Sequence, residues 1–252
     1  MAQQIGRLRA GALLARNIGA GIWVIASTLF FGFGSLVTSP FSIGLARGIA
    51  RFWSLQLLYM CGVKIQIHGL ENIHKNERYV FIANHQSYFD IPVLYAGLFA
   101  NLSFIAKKEL FMLPFFGWGM AAVGHIWIDR KNARKARKSI TRAVTMLKRN
   151  HVSLVLFPEG TRSVTGKVGE FKRASFVLAL EAGVPVVPIT ICGSRDVQPK
   201  FTLKIIPGAV KLIIGKPLRI APDMDLDKSQ LSGMVREIIV KQLEQSCNRI
   251  AP

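Results

Sequence analysis

Acid is scarce in this chain. Across 252 residues, 14 Asp and Glu stand against 33 Lys and Arg, a formal charge of +19. Such an imbalance selects anionic partners: nucleic acid, an anionic membrane or an anionic substrate. Cysteine is equally sparse. Cys61, Cys192 and Cys247 are odd in number and widely scattered, which predicts neither a disulfide framework nor a metal site and fits a reducing compartment. The histidines lack metal-ligand spacing such as H-E-x-x-H, so no metal is implied. No G-x-S-x-G elbow is present, and no repeat or low-complexity linker divides the chain. Apolar residues are plentiful instead: they make up 50% of the chain, and the mean hydropathy is positive. That is natural for a membrane-bound protein. With no recognisable nucleic-acid motif, it argues against a nucleic-acid partner. The length allows one domain with an appendage.

The N-terminal end meets the membrane requirement. Arg7, Arg9 and Arg16 precede a stretch without charge up to Arg47. Ile18 to Thr38 is long enough to cross a hydrocarbon core, which takes ~20 residues, and exceeds the ~7–15 apolar residues of a cleaved signal. Trp23, Phe30, Phe31 and Phe33 suit interfacial anchoring. Thr38-Ser39-Pro40 marks a break. The next stretch, Phe41 to Val63, carries Arg47 and Arg51 among aromatics and is expected to lie in the headgroup plane. Arginines on both sides of the first segment favour a hairpin or half-inserted pair over a single span.

From Val63 onward, short apolar runs alternate with helical patterns, the signature of an α/β domain. Strands are expected at 63–68, 79–83, 103–106, 125–128, 153–157, 186–191, 203–207 and 210–214, the last two as a hairpin about Gly208-Ala209. Between Asp129 and Arg149, Ala133, Ala136, Ile140, Ala143, Val144 and Leu147 recur at helical spacing. The other face holds Arg134, Lys135, Arg137, Lys138, Arg142, Lys148 and Arg149 with no acid, which suits a membrane or an anionic cofactor.

Asn84-His85-Gln86-Ser87-Tyr88-Phe89-Asp90 carries the most chemistry. On one continuous helix, residues five apart lie about 140° from each other and do not meet. With His85 in a turn and a helix starting near Ser87, Asp90 falls in the first helical turn and reaches back to the imidazole. A carboxylate on one ring nitrogen leaves the other free to take a proton. Downstream, Phe157-Pro158-Glu159-Gly160-Thr161-Arg162-Ser163 follows a strand, at the end where α/β proteins bind ligands. Gly160 allows close backbone approach, Thr161 offers a hydroxyl, and Arg162 a fork matched to phosphate oxygens.

These blocks resemble the glycerolipid acyltransferases. His85 with Asp90 is similar to that family's first motif, and Lys107-Lys108-Glu109-Leu110 with Pro114-Phe115-Phe116-Gly117 and Ile128-Asp129-Arg130 to its second. Phe157 to Ser163 resembles the third and Val184-Pro185-Val186-Val187-Pro188-Ile189 the fourth, over roughly residues 64 to 220. The nearest branch is that of the 1-acylglycerol-3-phosphate acyltransferases. The resemblance implies one mixed-sheet α/β domain, 63–252, behind a two-helix membrane motif, 1–62. It implies an enzyme with His85 as base oriented by Asp90 and no bound cofactor. Glu159, Gly160, Thr161 and Arg162 would bind the acceptor, with Arg162 on its phosphate and Lys107 and Lys108 adding charge. Phe115, Phe116 and Gly117 would line an acyl or glycerol pocket. Donors would be acyl-CoA or acyl-carrier protein, the acceptor a lysophospholipid, and phosphatidic acid the product. The expected location is the inner (cytoplasmic) membrane, catalytic domain on the cytosolic side. Glycerol-3-phosphate, another lysolipid such as a lyso-aminolipid, and a catalytically inactive membrane-binding protein stay open as alternatives.

Overall fold

Short runs of consecutive apolar residues become strands buried on both faces, and longer amphipathic runs become the helices that cover them. A computed structural model of the protein describes residues 2–98, 101–149, 152–220 and 227–247; the side chains of Arg7 and Arg9 lie outside the described set. Helices α1 (Ala2–Thr38) and α2 (Ile43–Met60) lead into an α/β unit. Its strands are β1 (Val63–His68), β2 (Val80–Ala83), β3 (Leu102–Lys107), β4 (Ile126–Ile128), β5 (Ser153–Leu156), β6 (Val186–Cys192) and β7 (Gly208–Ile214). Its helices are α3 (Asp90–Gly97), α4 (Lys108–Phe111), α5 (Phe116–Ala122), α6 (Ala133–Arg149), α7 (Ala174–Ala182), α8 (Ser194–Val197) and α9 (Lys228–Cys247). The sheet order is β1-β7-β6-β2-β5-β3-β4. Neighbours are parallel except β6 and β7, so the sheet is mixed, as expected.

Strand side chains alternate between two cores. Phe81, Ala83, Val155, Val187 and Ile189 pack with α2 and α3 through Leu57, Leu58, Val93 and Leu94. Val80, Ile82, Leu154 and Leu156 pack on the other face with Ile140 and Leu147 of α6, Phe176 of α7 and Val235 of α9. The basic surface of α6 therefore lies across the sheet from α2. Because strands β2, β3, β4 and β5 run parallel, Asn84, Phe157, Lys107 and Asp129 all emerge at one edge of the sheet.

The expected break is present: α1 ends at Thr38, and Ser42 caps α2 by accepting the Leu45 amide at 3.2 Å. Leu13–Thr38 is long and apolar enough to cross a membrane. Yet α1 lies along the body. Ala20 and Val24 touch the α2–α3 core, Trp23 Nε1 donates to Gln56 Oε1 at 2.8 Å, and Gly32 abuts α5. Its outer side is an unbroken exposed stripe: Leu14, Ile18, Ile22, Ile25, Leu29, Phe33 and Val37.

Three expectations are corrected. Arg47 and Arg51 do not face headgroups. Buried Arg47 donates through Nε to the carbonyl of Val123, and Arg51 to that of Leu98, at 3.2 and 3.1 Å. Those carbonyls end α5 and α3, where helices leave orphan acceptors and partial negative charge. The exposed side of α2 is consequently apolar: Leu45, Phe52, Leu55 and Tyr59. Nor is 203–207 a strand paired with β7. The Ile205 amide and carbonyl are taken by Asn17 and Arg16, the Ile206 amide by Val197, and β7 pairs with β1 and β6 instead. Finally, Cys192 and Cys247 form a disulfide with a Cα–Cα distance of 5.5 Å. They are 55 residues apart, and only the packing of α9 on β6 brings them together. Cys61 alone is free, and buried.

Candidate active site

Strand β2 ends at Ala83, and the next residue extends its pairing by side chain rather than backbone. The Asn84 amide donates to the Ile191 carbonyl at 2.9 Å and accepts the Ile191 amide at 2.8 Å, clamping β2 to β6. The chain then turns, and α3 starts at Asp90, later than Ser87. Asp90 is fully buried, and its Oδ2 faces three groups. These are His85 Nδ1 at 2.8 Å and the amides of Gln86 and Ser87 at 2.7 and 3.0 Å. The two amides aim the carboxylate, and the carboxylate aims the ring. Asp90 Oδ1 has no partner among the described residues. His85 stacks on Phe157 with centroids 4.1 Å apart, so its plane is fixed as well as its edge. With Nδ1 committed, Nε2 is the ring nitrogen left to exchange a proton.

Glu159 braces this turn. Its Oε1 accepts the His85 amide at 2.8 Å, and its Oε2 the Gly169 amide at 2.9 Å. Burial pushes its carboxyl above the ordinary range, against the pull of those two amides. Sequence reasoning assigned Glu159 to the acceptor; both its oxygens are engaged by backbone. The Ser163 amide donates to the His85 carbonyl at 2.7 Å, tying the Gly160–Arg162 loop to the same turn. Gly160 has φ of +73°, and a Cβ there would meet Lys172 Nζ at 3.0 Å, which is why glycine occupies this corner. Arg162 lies with its guanidinium carbon over the Tyr88 ring, 3.6 Å from the centroid, and its buried Nη1 has no partner among the described residues. Among the described residues it forms no ion pair, so its charge is available to an anion.

Lys107 and Lys108 emerge two strands from His85, about 10 Å laterally at ordinary strand spacing. Each already has a carboxylate: Glu109 at 3.5 Å from Lys107, and Asp129 at 2.6 Å from Lys108. The Lys108 hydrogen bond holds the Asp129 carboxyl below its usual range. Closer to the Gly160 loop are Arg130, which donates to the Gly160 carbonyl, and Lys172. Phe115 and Trp118 are half-exposed and mutually packed, Gly117 is buried against Phe111, and the Phe115 carbonyl abuts Gly32 of α1. This corner thus contacts α1.

Sequence reasoning missed Lys200, whose Nζ donates to Thr161 Oγ1 at 3.1 Å and to the Arg162 carbonyl at 2.8 Å. It also missed Tyr88 as the platform for Arg162, although the tyrosine stands inside the His85 segment. Lys200 lies outside every motif-like block, and nothing in its local sequence marks it.

Comparison with known proteins places the chain in a family. A family model described as Acyltransferase matches residues 64–192, just over half of the chain. The chain is 36% identical over 185 residues to the chloroplastic 1-acyl-sn-glycerol-3-phosphate acyltransferase LPAT1 of Arabidopsis thaliana, covering 73% of this chain and 51% of that protein. It is 35% identical over 156 residues to the 1-acyl-sn-glycerol-3-phosphate acyltransferase of Pseudomonas aeruginosa, covering 62% and 60%. The chain thus spans about half to three-fifths of the length of these curated relatives. The crystal structure of the 1-acyl-sn-glycerophosphate (LPA) acyltransferase PlsC from Thermotoga maritima superposes with a TM-score of 0.82 at 28% identity. That alignment covers 97% of this chain and all of that one. Shared fold, matched region and identity together make this chain a member of the acyltransferase family.

Proposed function

We propose that the chain transfers an acyl group from a thioester, acyl-CoA or acyl-carrier protein, to the free hydroxyl of 1-acyl-sn-glycerol-3-phosphate, giving phosphatidic acid. The observation that carries this reading is the His85 ring held through Nδ1 at 2.8 Å by buried Asp90, in a turn that the Ser163 amide ties to the loop of Arg162, which forms no ion pair among the described residues. His85 Nε2 removes the hydroxyl proton as the oxygen attacks the thioester carbonyl. The tetrahedral intermediate collapses, the carbon–sulfur bond breaks, and the imidazolium returns its proton to the leaving thiolate. Asp90 stabilises the imidazolium while it lasts. Arg162 binds the acceptor phosphate, and positioning adds to the rate. Glu159 acts through the backbone of His85, and Gly160 and Thr161 shape the phosphate-facing loop. Lys107 and Lys108 stand two strands away with their charge offset by Glu109 and Asp129, and Phe115, Phe116 and Gly117 border the acyl side. No bound cofactor enters the mechanism.

Residues 1–62 serve as the membrane motif and 63–252 as the catalytic domain. The outward apolar stripes of α1 and α2 suit a pair of helices lying in one leaflet better than a span. The basic face of α6, on the far side of the sheet, is read as facing the anionic donor. Arg7, Arg9 and Arg16, next to the apolar part of α1, favour the cytosolic face of the inner membrane. The Cys192–Cys247 disulfide favours a second reading, with the domain in an oxidising compartment. Labelling of these thiols in intact cells before and after reduction separates the two.

The deciding assay crosses purified wild-type and His85→Ala protein with several acceptors (1-acylglycerol-3-phosphate, glycerol-3-phosphate, a lyso-aminolipid) and both donor types. Turnover of 1-acylglycerol-3-phosphate lost in folded His85→Ala supports the reading. Retained turnover in that variant sinks it.

A further inference from the structure

The segment between α8 and β7 lies beyond the residues the family model matches and carries none of the motif-like blocks. It is irregular, yet tied at both ends. At one end Lys200 holds Thr161 and Arg162, and the Gln198 carbonyl accepts Ser87 Oγ at 3.0 Å. At the other, the Ile205 amide donates to Asn17 Oδ1 at 2.9 Å, and its carbonyl accepts from Arg16 at 3.3 Å. One short loop therefore joins the catalytic turn to α1.

Between those ties stand Phe201 and Leu203, 84% and 87% exposed. Among the described residues only Phe41 is a more exposed large apolar side chain, and Tyr59 follows at 83%. Those other two belong to the N-terminal helix pair, so the loop shares a property otherwise confined to it. Phe201 also has φ of +67°, a left-handed conformation that costs an aromatic residue free energy and persists only where its surroundings enforce it. Lys200 Nζ stands 5.1 Å from the Phe201 ring centroid, and the rest of the ring faces outward, where a lipid surface favours it and water does not. Exposed Lys204 beside the pair adds charge suited to anionic headgroups. The tie to α1 falls at Arg16 and Asn17, the turn where the outer apolar stripe begins with Leu14 and Ile18.

Building on the reading that α1 lies in a leaflet, we propose that the Phe201–Leu203 loop is a second lipid contact. Its two apolar side chains enter the same leaflet. Through Lys200 they set Thr161 and Arg162 at the level from which a lysophospholipid is taken.

Cys61 is buried and the other two cysteines are paired, so one introduced cysteine gives one labelling site. Phe201→Cys, Ile22→Cys on the α1 stripe and Thr141→Cys on α6 are each labelled with an environment-sensitive fluorophore. The full-length proteins are then mixed with vesicles of equal parts phosphatidylcholine and phosphatidylglycerol containing doxyl-lipid quencher. Quenching at positions 201 and 22 but not 141 supports the proposal. A label quenched at 22 and left in water at 201 overturns it while α1 keeps its anchoring role; labels in water at both positions overturn the two readings together. In an unlabelled Phe201→Ser/Leu203→Ser protein, vesicle partitioning is expected to fall about ten- to a hundredfold. Its kcat on a short-chain acceptor dissolved as monomers should stay unchanged. Partitioning equal to wild type refutes the contact.

Discussion

Replacing Asp90 with asparagine removes one charge and almost no volume, and the surrounding hydrogen bonds dictate how the amide must sit. The Gln86 and Ser87 amides both point at Oδ2, at 2.7 and 3.0 Å, so the asparagine oxygen has to take that position. Its NH2 then falls where Oδ1 is now, a buried position with no acceptor. An unpaired buried donor costs about 1–3 kcal/mol, a loss that a domain of ordinary stability, about 5–15 kcal/mol, survives. Catalysis loses more. An imidazolium about 4 Å from a carboxylate is stabilised by about 4 kcal/mol at an effective dielectric constant of about 20, a factor of about 10³ in rate. Asp90→Asn is therefore expected to fold, to melt a few degrees lower, and to lose about 10²–10⁴ in kcat with KM nearly unchanged. Asp90→Ala strands both amides and opens a cavity, so it should lose about 2–6 kcal/mol of stability as well. Steady-state kinetics on purified protein, with a thermal melt of each variant, reads both quantities. A folded Asp90→Asn enzyme keeping more than a tenth of wild-type kcat would refute the role given to the carboxylate.

Arg162→Ala should raise KM for a phosphate-bearing acceptor about ten- to a hundredfold, the worth of a charge-assisted contact. Tyr88→Phe, which keeps the ring, should leave that KM intact while Tyr88→Ala raises it several-fold; equal effects from the two would remove the stacking from the argument. His125 accepts the Phe104 amide at Nδ1 and meets Tyr95 at Nε2, and burial, helped by the Arg47 charge, pushes its pKa down to about 3. The unfolded chain, near 6.5, takes up a proton first, so stability holds above pH ~6.5 and falls below it by at most about 1.4 kcal/mol per pH unit. Denaturant titrations of wild type and His125→Gln between pH 7.5 and 5 test this, and parallel pH profiles would contradict it. Reduction, or Cys247→Ser, should cost up to about 4 kcal/mol from the loop of 55 residues closed by the disulfide, read as a lower Tm. An unchanged melt would mean that the bond adds nothing.

The fold was most readable where one residue's role follows from its immediate neighbours. The run Tyr79-Val80-Phe81-Ile82-Ala83 is short, aromatic and β-branched and ends at turn-forming Asn84, which marked it as a buried strand, and β2 covers Val80–Ala83. In α6 the apolar spacing fixed Ile140, Ala143 and Leu147 as the buried side. The same logic failed for α2. A helix with two arginines among aromatics looks like a headgroup binder, but Arg47 and Arg51 reach carbonyls at the ends of α5 and α3, more than 40 residues on. Residues 203–207 looked like a strand because a short apolar run was visible and the competing partners, Arg16, Asn17 and Val197, were not.

By itself the sequence determined which residues could do chemistry: a histidine and an aspartate five apart across a turn, and a glycine–threonine–arginine corner after a strand. Turn geometry and side-chain chemistry are local, so spacing suffices. Tertiary structure decided what surrounds them: Glu159 bracing the His85 backbone, Tyr88 beneath Arg162, Lys200 tying the phosphate-facing loop, and Cys192 bound to Cys247. Each of those pairings joins different strands, helices or loops at the carboxyl edge of the sheet. Their partners are set by the sheet order β6-β2-β5-β3 and the packing of α9 on β6, which no local pattern encodes.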